Sequence, residues 1–425
     1  MRINIVVPGW SRATFTGGLW CILEYAAGLT GRGHRVTVVP VSPVGHQLEW
    51  FNQEFGELIV TPRSERIRLV LKGLPACLKA LPDKPAGRTE RLRDLGGAAG
   101  VLFRPLLPYE LWAGVDLYYL RRVMREADVT IATAAATALP AALVGTGRLY
   151  YFTQHFKPIF AGDSYCPQLA ERAAYLTYGL GLNMIANSSW LQSTIEAEFP
   201  GSKVALCLNA IDHEIFHGEP KVAEAVADVK VISYSGGGRV WKGFNEMAEP
   251  MRLVREKLPH RNIKWLVYGG NATLPPDNPV AAYEALGFLP PGRLAEAYKG
   301  ADILLSASWA ESFPLFPLDA VACGLPVITT QYGTEDYAIH GKTAEVVQPK
   351  NPASIADGLI RVITDLEYRN RIARGGNETA KHFTWEKSAA TMERILLTGA
   401  TEKSRSQVGP WPLVAAPRRT ERALL

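Results

Sequence analysis

One pattern occurs twice in this chain and restricts its fold more than any other feature. Ile3–Val7 is an apolar run interrupted only by Asn4, the mark of a strand buried on both faces as in a parallel sheet. A loop from Pro8 closes on Gly17-Gly18, a helix is predicted over about residues 19–30, and Gly33-His34 leads into a second strand, Arg35–Val39. Strand, glycine loop, helix and strand make a βαβ unit. A glycine pair in such a loop lets main chain approach a ligand closely. The second half restarts the pattern with a strand at Lys230–Ser235, the loop Gly236-Gly237-Gly238 bearing Arg239 and Lys242, a helix from about Asn245, and a strand at Ile263–Tyr268. The chain is therefore expected to be α/β, and 425 residues are enough for two domains with cores of their own.

The second glycine loop reads as a phosphate site, because glycines expose amides while Arg239 and Lys242 add fixed charge. It is not a dinucleotide fingerprint, since Trp241 stands where the third glycine of G-x-G-x-x-G belongs. Gly341-Lys342-Thr343 imitates the end of a P-loop, but Asp336 occupies the place of its leading glycine. Further on, Ser308–Thr330 holds two carboxylates, Glu311 and Asp319, eight positions apart. Leu315–Cys323 suits a short buried helix stopped by Gly324 and Pro326, with Ser312 as its expected N-cap and Pro314 in its first turn. Unpaired amides at that helix start would face an anion with a carboxylate on either side. A nucleotide sugar, which is anionic and carries hydroxyls, fits this arrangement; a surface glutamate before an ordinary buried helix is the plain alternative. In the first half, the strand Leu149–Thr153 places His155 at a carboxyl end, where open α/β sheets gather ligands.

Composition narrows the function classes. The residues are 47% hydrophobic and 20% charged, and a net charge of +5 does not indicate a general nucleic-acid binder. Five scattered cysteines show neither CxxC nor metal-like spacing, as expected of core thiols in a reducing compartment. No signal-peptide core and no run of membrane-spanning length is found, so a cytoplasmic protein is expected. Residues 61–95 hold nine basic and four acidic residues, an excess equal to the charge of the whole chain, with leucines interspersed. Such a segment is either a solvated helical face or a basic amphipathic surface for anionic lipid or an anionic acceptor at the inner face of the membrane. From about Thr398 the sequence mixes Pro, Arg and Ser without period and is expected to be disordered.

The stretch from Glu311 resembles the glutamate-x7-glutamate signature of the retaining family 4 glycosyltransferases, with Asp319 in place of the second glutamate and Pro314 in place of a glycine. The opening glycine loop and NAIDHEIF (Asn209–Phe216), where such chains cross into their second domain, resemble the family as well. The resemblance implies two Rossmann-like doubly wound domains facing across a cleft, the GT-B fold. It divides the chain into an acceptor-side domain (1–208), a nucleotide-sugar-binding domain (209–380), a helix returning to the first domain (381–397) and a tail (398–425). It implies a sugar passed with retention from a nucleoside-diphosphate sugar to a hydroxyl acceptor, whether glycan, lipid-linked or small molecule. Carried over residue by residue, Arg239 and Lys242 meet the donor diphosphate, Glu311 the sugar hydroxyls and Asp319 the ribose. Ser312, Phe313 and Leu315 line the donor, Phe288-Leu289 hold the nucleobase, Gly17-Gly18 lie beside donor phosphate and acceptor, and His155 takes part in catalysis. With no Asp-x-Asp motif in a suitable place, no metal and no cofactor is expected. The run from Thr130 to Gly162 is similar to bacterial rhamnosyltransferases of surface-polysaccharide assembly. The rival readings are a nucleotide-sugar epimerase and a non-catalytic sugar-nucleotide-binding subunit.

Overall fold

The computed structural model describes residues 1–9, 17–41, 55–60, 68, 71, 117–159, 167–222 and 228–399. Most of the basic segment 61–95, residues 10–16 of the first loop, 160–166, 223–227 and the tail beyond Gly399 lie outside the described residues. The chain divides into two compact units. The first takes residues 1–185, 195–205 and the described residues from Ala389 onward; the second takes 186–194 and 206–388. The crossing expected at Asn209 thus lies just inside the second unit.

The first unit is built on β1 (Arg2–Val7), α1 (Gly17–Gly31), β2 (Arg35–Pro40), β3 (Glu57–Leu58), β4 (Val129–Ala132), α2 (Ala135–Val144), β5 (Arg148–Thr153), α3 (Pro167–Tyr178), β6 (Asn183–Ala186), the end of α4 (Ser189–Glu198, whose residues up to Thr194 are assigned to the second unit) and β7 (Val204–Leu206). Its seven-stranded sheet runs β3-β2-β1-β4-β5-β6-β7, and β1 pairs in parallel with β2 on one side and β4 on the other. The direction of winding reverses there. Gly17 and Gly18, expected in the loop, are the first two residues of α1. A first helical turn has amides without intrahelical partners, so the change moves the pair by one turn and keeps main-chain donors at that place.

The second unit comprises β8 (Asp228–Tyr234), α5 (Ala248–Lys257), β9 (Asn262–Tyr268), β10 (Glu284–Gly287), α6 (Pro291–Gly300), β11 (Ile303–Leu305), α7 (Leu315–Ala322), β12 (Val327–Thr330), β13 (Glu345–Val347), α8 (Pro352–Thr364) and α9 (Leu366–Ala380), followed by α10 (Trp385–Thr398). Its sheet order is β10-β9-β8-β11-β12-β13 with every pairing parallel, and the winding reverses between β8 and β11. Successive strand residues serve opposite faces. Ile303 and Leu305 join the apolar layer with Trp265, Met251 and Ile355, while Leu304 joins the layer with Leu318, Tyr298 and Leu325. Both faces are covered, which is why these strands read as continuous apolar runs. The two helices α8 and α9 adjoin in sequence. Asp365 takes an extended conformation and its carboxylate accepts the Tyr368 amide at 2.9 Å, which ends α8 and caps α9.

Candidate functional site

In the second unit the loops after β8, β11 and β12 all leave the carboxyl edge of the sheet, on either side of the reversal between β8 and β11. Open α/β sheets bind ligands at such a place. After β8 the chain makes two single 3-10 turns, Gly236–Gly238 and Val240–Lys242, and then Gly243. Gly243 has φ +71°, and a Cβ there would lie 1.9 Å from the Ala307 carbonyl oxygen. Only glycine lets the first loop press this closely onto the second. Two hydrogen bonds then join the loops: the Trp309 amide donates to the Trp241 carbonyl (2.8 Å) and the Ser308 hydroxyl to the Lys242 carbonyl (3.3 Å). From the end of β12, the Thr330 hydroxyl donates to the Ser308 carbonyl (2.5 Å).

This stitching brings Lys242 to Glu311. The ammonium Nζ of Lys242 forms an ion pair with Glu311 Oε1, and the side chains are only 18% and 5% exposed. The Lys242 ammonium also lies 5.6 Å from the centre of the Phe316 ring, at the start of α7. Arg239 is exposed and, among the described residues, makes no ion pair. The two basic residues of the loop thus differ, one engaged by a carboxylate and the other facing water.

Past Glu311 the structure departs from the sequence expectation. The helix begins at Leu315 with Pro314 as its N-cap residue, and Ser312 caps nothing. A residue before proline is driven away from the helical region, so Phe313 and the residues preceding it stay outside the helix. Ser312 is fully buried, and its hydroxyl has no hydrogen-bond partner among the described residues. Phe313 packs against Tyr337 and Phe383, with ring centroids 5.6 and 5.9 Å apart. Asp319 lies about one turn inside α7 and is buried. Burial, and then the charge of Asp212, push its carboxyl well above the usual range. Its surroundings include the buried hydroxyl pair Tyr268–Tyr298 (2.8 Å) and the Cys323 thiol, which burial pushes up to about 12.

The turn after β12 contributes residues that sequence patterns did not single out. Gly333 has φ +73°, and a Cβ there would fall 2.6 Å from the Glu311 carbonyl oxygen and 2.7 Å from that of Ser312. The Tyr337 hydroxyl donates to the Pro314 carbonyl at 2.8 Å. Glu335 follows Gly333 by two positions. Loss of water and the charge of Asp336 push its carboxyl up to about 7, against the pull of the amides of Glu335, Gly333 and Thr334.

The remaining expected positions are spread more widely. In the loop after β10, Phe288 is 80% exposed while Leu289 packs partly on the core. In the first unit, His155 is exposed just beyond β5. Its carbonyl accepts from the Thr153 hydroxyl (2.8 Å) and the Tyr178 hydroxyl (3.1 Å), which fixes the main chain that carries the ring. Among the described residues no cluster of His, Cys, Asp and Glu could hold a metal ion.

Residues 219–379, which contain all of the loops just described after the second-unit strands, match the family profile described as Glycosyl transferases group 1. D-inositol 3-phosphate glycosyltransferase of Corynebacterium glutamicum (strain R) is 32% identical over 180 residues, covering 39% of this chain and 43% of that protein. Its counterpart in Corynebacterium efficiens is 27% identical over 219 residues, 48% of this chain and 50% of that one. The chain thus spans half or less of the length of these relatives. Among solved structures, sucrose-phosphate synthase from Thermosynechococcus elongatus superposes with a TM-score of 0.64 at 14% identity, over 94% of this chain and all of that one, 100%. Anabaena HepE, solved in complex with UDP-glucose, gives a TM-score of 0.63 at 16% identity, over 94% and 100%. Residues 219–379 are thus similar in sequence to group 1 glycosyltransferases, and the chain's two parallel-sheet α/β domains match the GT-B fold of the solved structures.

Proposed function

We infer that the protein transfers a sugar from a nucleoside-diphosphate sugar to a hydroxyl acceptor, with retention at the anomeric carbon and without a metal ion. One observation carries the reading: Lys242 and Glu311 meet at the carboxyl edge of the second sheet, within the stretch that matches group 1 glycosyltransferases. A cation for the diphosphate and a carboxylate for sugar hydroxyls are then side by side. Arg239, exposed on the same loop, and the first-turn amides of α7 add to the charge facing the leaving group. The UDP-glucose bound by HepE supports a nucleotide sugar as donor. In this reading Asp319 holds the ribose, Ser312, Phe313 and Leu315 line the donor, and Phe288-Leu289 meet the base. The first domain, with Gly17-Gly18 and His155, serves donor phosphate and acceptor. The acceptor is a glycan, a lipid-linked sugar or a small molecule, and the first half of the chain favours surface-polysaccharide assembly.

The test supplies the purified protein with a panel of UDP, GDP and dTDP sugars and candidate acceptors, and follows products by mass spectrometry and anomeric NMR. The expected result is nucleoside diphosphate released only with acceptor, a product of retained configuration, and turnover unchanged by chelator. Release of nucleotide and an altered sugar without acceptor would replace the reading with an epimerase. Donor binding without turnover under any acceptor would replace it with a binding subunit.

A further inference from the structure

We propose that Tyr337 is a positioning residue: its hydroxyl, bonded to the Pro314 carbonyl, fixes the segment that carries Glu311 relative to helix α7. The inference rests on the role given above to Glu311, but its geometry stands alone. The bond is 2.8 Å long and both residues are buried. Pro314 is the N-cap residue of α7 and has no amide hydrogen, so its carbonyl is the one main-chain polar group through which it can be held. Glu311 lies three residues before it.

The same short turn touches the segment at two further points. Gly333 lies against the Glu311 and Ser312 carbonyls, and Thr330, at the end of β12, holds the Ser308 carbonyl. Tyr337 is itself fixed. Its ring meets Phe313 and Phe383, and its carbonyl accepts from the Thr343 hydroxyl at 2.6 Å. Glu311 and Asp319 both act electrostatically on the Tyr337 phenol, which therefore lies near the two carboxylates of the signature. Burial and the neighbouring carboxyls raise the phenol's pKa well above its ordinary value, so the hydroxyl keeps its proton and remains a donor at any working pH. The loop after β8 holds Ser308, Trp309 and the Glu311 side chain; past Glu311, Ser312 makes no hydrogen bond through its side chain among the described residues, and the turn after β12 braces that end of the segment.

The test compares Tyr337→Phe with Ile355→Val, a core change on α8, using two readouts. Each variant loses one buried contact, a hydrogen bond in the first and a methyl in the second, so Ile355→Val controls for a general loss of stability. Hydrogen–deuterium exchange of the free protein is read first, on peptides spanning residues 308–318. Tyr337→Phe should exchange there at least tenfold faster, and Ile355→Val as in the parent. Steady-state kinetics is read second. Tyr337→Phe should lose at least tenfold in kcat while its Kd for UDP or GDP, whichever the parent binds more tightly, stays within threefold. A misplaced group of about 1 Å has losses of this order. Equal exchange in the two variants overturns the proposal whatever the kinetics. Faster exchange with parental kcat overturns the positioning role as well, leaving a structural bond. If the parent binds no nucleoside diphosphate, the assigned function fails, and the exchange result still decides whether Tyr337 fixes the segment.

Discussion

The Lys242–Glu311 pair permits a sharp energetic test. Both side chains are largely withdrawn from water, at 18% and 5% exposure. Removing one partner of a buried pair strands the other charge and costs about 3–5 kcal/mol, whereas replacing both is often close to neutral. Glu311→Gln keeps one hydrogen bond to the ammonium and should fall near the lower figure; Lys242→Met, which leaves a carboxylate 5% exposed with no cation, should fall near the upper. The second unit is of a size at which each kcal/mol moves Tm by roughly 2–4 °C, so Glu311→Gln should lower the transition of that unit by about 6–12 °C. The double variant should recover most of this, so the coupling energy in a double-mutant cycle should approach the sum of the two single losses. Urea denaturation with probes in each unit measures all four proteins. If the two single losses simply add in the double variant, the pair is not coupled and the account of the site is wrong. The cycle also separates stability from function. The double variant should fold almost as well as the parent and transfer no sugar.

Three further outcomes are expected. If, as proposed, the exposed guanidinium of Arg239 meets charge that develops on the leaving group, Arg239→Ala should lower turnover by about 10²–10³ while weakening donor binding far less; near-parental turnover removes it from the mechanism. Asp319 binds its proton more tightly folded than unfolded, so the folded state holds the extra proton and stability falls as pH rises above the ordinary carboxylate range. Asp319→Asn removes that loss, and its urea midpoint should gain on the parent's between pH 4.5 and 8; a constant difference refutes the assignment. The basic segment 61–95, outside the described residues, should give salt-sensitive cosedimentation with anionic but not neutral liposomes, reduced when Arg66, Arg68, Lys72 and Lys79 become Gln. Absence of any lipid dependence would place the acceptor in solution.

Much of the scaffold could be read from residue order, because its signals are local. Central strands such as Ile3–Val7 and Lys230–Ser235 are visible as mainly apolar or β-branched stretches, and the glycine loops after them by composition. The edge strand β10 was hidden: Glu284–Gly287 is mostly exposed and contains no apolar run. The start of α7 was misplaced because Ser312 and Pro314 are both helix-entry residues, and only the restraint of proline on Phe313 decides between them. Within the site, Glu311, Lys242 and Asp319 stood out by charge and spacing. What the sequence withheld was their partners. The Lys242–Glu311 pair spans 69 positions and the Tyr337–Pro314 bond spans 23, and nothing in local propensity connects such residues. Gly243 and Gly333 look like ordinary turn glycines until the carbonyls pressed against them are seen.

The contacts that align the three second-unit loops have a property with consequences for variation. Almost all of them end on main-chain atoms: the carbonyls of Trp241, Lys242, Ser308 and Pro314, and the backbone of Ala307, Glu311 and Ser312 beneath two glycines. A frame that holds carbonyls does not depend on which side chains those residues carry. Trp241, Trp309 and Leu315, which are not fully buried, can therefore be exchanged while the loops stay in register, and in the proposed reading a donor with a different base or sugar can be accommodated without rebuilding the fold. Positions 243, 333 and 337 do not share that freedom. A saturation library should return a diverse set of functional residues at positions 241, 309 and 315 and almost none at positions 243, 333 and 337.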